Sequence, residues 1–98
     1  MSIIGNVSLT ATDVDAFSNS LDRLMELADS AVEHGGRYLA KGGTIEATQS
    51  EPPPDRILVL EFEHVSQARS WMRSAEYAQF TDLASTCCQV RSMIVEGT

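Results

Sequence analysis

Glu61 closes the apolar run Ile57-Leu58-Val59-Leu60 and is followed by Phe62. A carboxylate in such a run is either paired with a cation or kept for use, because burying it unpaired is costly. Kept in a dry pocket, it would act as a general base on an activated C–H or a phenol. Paired with Arg37, Arg56 or Lys41, it would be structural. Both readings stay open on the sequence. Around Glu61, a small pocket between helices and sheet would draw on Asn6 and Ser8 as polar groups. Arg37 and the rings of Tyr38, Trp71 and Tyr77 would add ligand contacts. His34 is the second catalytic candidate.

The remaining reactive inventory is thin. His34 and His64 are far apart and have no Cys or His at metal-ligand spacing, so neither a metal nor a cofactor is expected. The only cysteines, Cys87 and Cys88, are adjacent. That is neither a disulfide framework nor a zinc pattern, and it fits a reducing cytoplasm. No G-x-S-x-G nucleophile elbow is present. The formal charge of −7 argues against nucleic acid or an anionic membrane as partner, since both are polyanions. No apolar run approaches the roughly 20 residues needed to cross a bilayer, and Met1 to Asn6 lacks the pattern of a signal peptide.

The elements that must hold these groups follow from periodicity. The 98 residues make one domain, 1–98. Ile3 to Leu9 alternates, with Ile3, Gly5, Val7 and Leu9 on the core face and Asn6 and Ser8 on the other. Thr12 or Asp13 caps a helix of about five turns whose stripe is Val14, Phe17, Leu21, Leu24, Ala28 and Val32. Gly35-Gly36 ends it. Arg37 to Lys41 reads as a strand with a bulge at Gly42-Gly43 that resumes over Thr44 to Ala47, and residues 49–55, with three prolines, form a stiff hairpin loop. The strand 56–62 comes next, with Glu61 facing away from the helices. Ser66 and Ser74 cap two short helices, and Gln89 to Glu96 is the last strand.

Strand, helix, strand, strand, helix, strand with right-handed crossovers predicts a four-stranded antiparallel sheet in the order 4-1-3-2. Both helical segments lie on one face. The other face, apolar in part, predicts a homodimer by face-to-face packing of two sheets, burying on the order of 2,000 Å².

The segment Gly35-Gly36-Arg37-Tyr38-Leu39-Ala40-Lys41-Gly42-Gly43 resembles the signature of the domain-of-unknown-function family numbered 1330. Arg56, Leu60-Glu61-Phe62, Ala68, Trp71, Ser74, Glu76-Tyr77 and Val95-Glu96-Gly97 match it in order. The resemblance implies a ferredoxin-like α+β fold of the dimeric α+β barrel superfamily. That superfamily includes cofactor-independent monooxygenases, muconolactone isomerases, dye-decolourising peroxidases and regulatory ligand-binding domains. Phe17, Glu63 and Ala84 depart from the family pattern, where tyrosine, proline and arginine are usual. By analogy within the superfamily His34 would ligate haem, whereas its place at a helix end favours a capping cation. Two functions follow as expectations. One is an oxygenase- or isomerase-like conversion of a small organic molecule. The other is a non-enzymatic module that binds a small ligand or another protein.

Overall fold

In the computed structural model, β1 (Ile3–Ala11) buries Ile3, Val7 and Leu9 and turns Ile4, Asn6 and Ser8 to the opposite face. The structure describes residues 2–42, 45 and 53–97. Thr44, Glu46 and Ala47 of the resumed strand lie outside these, as does most of the proline loop.

Asp13 caps α1 (Val14–Ala28), its side chain accepting from the Ala16 amide at 3.1 Å. The five-turn α-helix expected here is shorter. It gives way at Asp29 to a 3-10 segment, Asp29–His34. A 3-10 turn holds three residues where an α turn holds 3.6. The step from Ala28 therefore buries Ser30 and Ala31, and Val32 is left 56% exposed. Val14, at the other end of the expected stripe, is exposed too. Gly35 then takes φ 88°, the left-handed conformation that favours glycine, and donates to Val32 O. Gly36 has a different constraint: a Cβ there would sit 2.8 Å from Ala31 O and 2.9 Å from the Phe62 ring.

β2 (Arg37–Lys41) pairs with β3 (Arg56–Phe62), and β3 pairs with β1. The bulge expected at Gly42-Gly43 reaches outside the described residues, and a bulge lies between Tyr38 and Ala40. Leu39 is the extra residue, so two residues face Val59 there. Gly42 takes φ 83° and donates to Ile57 O. After β3 come α2 (Val65–Met72) and α3 (Ala75–Ser85). The cap of α2 is His64 and not Ser66: His64 has the extended backbone of an N-cap, and Gln67 Oε1 accepts from its amide at 3.0 Å. Ser74 caps α3, accepting from the Tyr77 amide. β4 (Cys88–Glu96) completes the sheet against β1, giving the order β2-β3-β1-β4, antiparallel throughout. This is the expected ferredoxin-like arrangement.

The core lies between the helices and the odd-numbered face of β1 with Leu58, Leu60 and Phe62 of β3. Trp71 is fully buried at its centre, 4.8 Å from Tyr77 and 6.1 Å from Phe62 between ring centroids. Its indole N–H donates to Ser30 Oγ, which donates in turn to Leu27 O, so the buried polar atoms are satisfied. No helix among the described residues is long and apolar enough to cross a membrane.

Candidate functional site

β-strand parity decides where each candidate side chain goes. Glu61 pairs with Ile4 across the sheet, on the face turned away from the helices, as its parity predicts. Its Oε1 accepts from Arg37 Nη2 of β2, the residue directly opposite it in the ladder. Cross-strand partners stand close enough to pair, and the Glu61 side chain is 28% exposed while Arg37 is largely in solvent. The unpaired Glu61 that a free general base requires is therefore not what the structure contains. Lys41 is engaged elsewhere, 2.7 Å from Asp29 Oδ1.

Where β3 runs out into Glu63 and His64, a groove of about 1000 Å³ opens. Arg37 and Glu61 form one wall, and Ser2, Gly35, His64 and Gln67 contribute to the rest. Phe62 and Glu63 line it as well. Apart from His64, the groove carries one guanidinium and two carboxylates, so it suits a neutral or cationic polar guest.

The pocket expected between helices and sheet does not form as drawn, because the sheet divides its proposed members. Asn6 and Ser8 share the open face with Glu61 but sit further along β1, opposite Val59 and Ile57, outside the groove. Trp71 and Tyr77 are on the other side, in the core, where Tyr77 Oη meets Ser92 Oγ at 3.3 Å. Neither ring is open to a ligand from the Glu61 side. Tyr38 also points to the helix side, donating to Asp29 Oδ1 at 2.9 Å beneath Lys41 Nζ, which lies 4.9 Å from its ring centroid. Burial works to raise the Asp29 pKa, but the hydrogen bonds from Lys41 and Tyr38 outweigh it and hold the carboxyl below its usual range. Burial and the same Asp29 push the Tyr38 hydroxyl well above its usual value.

His34 is not brought to Glu61. Its Nδ1 lies 3.1 Å from Ser70 Oγ in a separate cleft lined by Ser66, Arg69, Arg73 and Ser74. Among the described residues no aliphatic or aromatic side chain lines it to sandwich a porphyrin, so the residues around His34 do not fit a haem. Among the described residues no three His, Cys, Asp or Glu gather as a metal site. Cys87 and Cys88 are buried free thiols with sulfurs 3.5 Å apart; burial first, then the Cys87 contact, pushes the Cys88 thiol up to about 12.

Sequence reasoning missed His64, Gln67, Glu63 and Ser2 as neighbours of Glu61. One signal was readable: Gln67 follows His64 at the three-residue spacing of a capping box, which places both at the start of α2.

Comparison with known proteins places this geometry. Residues 4–98 match the family described as "Domain of unknown function (DUF1330)". No curated protein matches the chain. A dimeric ferredoxin-like protein of unknown function from Jannaschia sp. CCS1 is 12% identical. It superposes with a TM-score of 0.81 over 99% of this chain and 100% of that one. A dimeric protein of unknown function and ferredoxin-like fold from Bacteroides fragilis NCTC 9343 is 13% identical, with a TM-score of 0.72 over 98% and 96%. A candidate antibiotic biosynthesis monooxygenase from Nitrosomonas europaea is 11% identical, with a TM-score of 0.73 over 98% and 89%. At these identities the likeness is one of fold.

Proposed function

The chain belongs to the DUF1330 family, and from that premise we propose that it is a single-domain cytoplasmic homodimer that binds a small polar organic molecule in the groove beside Arg37 and Glu61. The observation that carries this reading is the position of that ion pair. It stands where the open sheet face meets the groove, so a second copy covering the face would also wall the groove and remove the pair from water.

The open face supplies the reason to dimerise. Ile4, Ile57 and Val59 are only half-buried there, and Met93 and Val95 are more than half exposed, in register beside Asn6 and Ile4. Apolar surface of this kind in the middle of a sheet is what face-to-face packing removes from water. The dimeric neighbours from Jannaschia and Bacteroides support the same assembly.

Within the groove, Arg37 and Glu61 act as a matched donor and acceptor. Arg37 fixes Glu61 Oε1, which leaves Oε2 and the remaining guanidinium N–H groups to orient a guest with both a donor and an acceptor. This makes Glu61 a binding group first. A base role, as in an oxygenase or isomerase, would need the proton to go to the oxygen that Arg37 leaves free.

Thermal denaturation with a panel of small amines, amino acids, alcohols and phenols tests the binding. Compounds that bind should raise the wild-type melting temperature, as any ligand of the native state does. The shift should vanish in both Arg37→Gln and Glu61→Gln. Equal shifts in wild type and variants, or none with any compound, would overturn the reading.

A further inference from the structure

The cleft around His34 has a charge character opposite to that of the Glu61 groove, and the proposed function makes no use of it. It has a volume of about 640 Å³ and is lined by His34, Ser66, Arg69, Ser70, Arg73 and Ser74. Ser66, Ser70 and Arg69, Arg73 are each four residues apart, so the helical repeat brings a row of hydroxyls and a row of guanidiniums to one side of α2. His34 faces that side from the end of the 3-10 segment, its ring 3.1 Å from Ser70 Oγ.

Among the described residues no carboxylate lines the cleft, although the chain has 14 acidic residues and only seven lysines and arginines. Among the described residues the ion pairs are Arg23 with Glu26, Arg37 with Glu61 and Lys41 with Asp29. Arg69 and Arg73 belong to none of them. Complementing the C-terminal dipole of α2 accounts for Arg69 in its last turn and Arg73 at its C-cap. It does not account for the hydroxyls and the imidazole gathered beside them. Ser74 also caps α3 here, which brings the positive end of a second helix dipole to the same rim.

We propose that this cleft binds a phosphate group, either free or carried by a small molecule. Two guanidiniums supply forked donors, Ser66 supplies a hydroxyl, and the hydrogen-bonded pair of Ser70 and His34 supplies one further donor from the partner whose proton that bond leaves free. A tetrahedral dianion presents oxygens to all of these at once, whereas a planar carboxylate presents two. The proposal is independent of the Glu61 groove, since neither Arg37 nor Glu61 lines this cleft.

The test is a titration of the full chain with sodium phosphate and with glycerol phosphate, followed by calorimetry and by NMR of the arginine Nε and histidine ring signals. Sodium chloride keeps the ionic strength constant. Saturable binding should shift the Arg69, Arg73 and His34 signals. Replacing both arginines, as Arg69→Gln with Arg73→Gln, should weaken it at least tenfold, while Arg23→Gln leaves it unchanged. Both arginines are exposed, so the double variant should keep the wild-type circular dichroism. Tighter binding of glycerol phosphate would identify a phosphorylated small molecule as the ligand, and equal or tighter binding of inorganic phosphate would identify the free ion. Shifts no larger than those from chloride, or undiminished binding by the folded double variant, would overturn the proposal.

Discussion

On β3, Leu58, Leu60 and Phe62 are sealed beneath the helices, whereas Ile57, Val59 and Glu61, one residue out of phase, are left half-buried on the face turned away from them. The strand is the same and its apolar content is nearly the same on both sides. What differs is the cover. Beneath the helices, Trp71, Tyr77 and Phe80 interlock, with Tyr77 and Phe80 meeting edge to face. On the open side the polar residues Asn6, Ser8, Arg37 and Glu61 are set among Ile4, Val59 and Met93. The side finished within the chain is mostly apolar, and its buried Ser30 is hydrogen-bonded inside it. Under the proposed function the open side also meets a partner and a ligand, and its polar groups would fix register and orientation there.

The largest effect should come from the sealed side. Trp71→Ala removes the fully buried indole that joins Phe62, Tyr77 and Ser30. It should cost roughly 3–5 kcal/mol, as large-to-small aromatic changes in cores do. Chemical denaturation measures it, and a loss below about 1 kcal/mol, the scale of a surface change, would show that this side is not what holds the fold.

A smaller effect is expected from Glu61→Gln. The neutral amide leaves Arg37 without its counter-charge, so the protein should lose stability. The loss should be about 1 kcal/mol or less while the pair is exposed, since solvent screens such pairs. In a dimer that removes the pair from water, the loss should grow with protein concentration. Stabilisation by this substitution would mean that Arg37 does not hold the carboxylate.

The smallest effect belongs to Asp29, at the β2 edge of the sealed side. Its carboxyl is held below the usual range in the folded chain, so its contribution is present above the unfolded value and is lost as pH falls through the folded one. Asp29→Asn should therefore flatten the acid limb of the stability curve and leave little change in its slope above the carboxylate range. Thermal melts across the acid range check this, and an unchanged acid limb would remove Asp29 from the account.

The alternation in β1, the unbroken run in β3 and the turn at Gly35-Gly36 made the sheet order legible from sequence. So did the side of the sheet on which Glu61 lies, because strand parity needs only a register. The 3-10 ending of α1 was not legible. Ala31 and Val32 are both apolar, and only the tightened turn chooses between them. The bulge at Leu39 was hidden too, since paired glycines at 42 and 43 were the more obvious place for it. The site was legible only in part. Arg37 was one of three cations that the sequence offered for Glu61, and its place directly opposite in the ladder selected it. His64 and Gln67 meet Glu61 because a helix begins just after the strand ends, which is a matter of tertiary geometry. Trp71 and Tyr77 were grouped with Glu61 by chemistry, and the sheet keeps them apart.

The central claim is that a second copy of this chain covers the open face, and sedimentation equilibrium tests it directly. At micromolar concentration the wild type should sediment at twice its 10.7 kDa chain mass. Val59→Glu places a charge in the middle of that face without entering the helix-covered core. It should sediment as a folded monomer with unchanged circular dichroism. A wild type that stays monomeric, or a Val59→Glu variant that remains a dimer, would contradict the account.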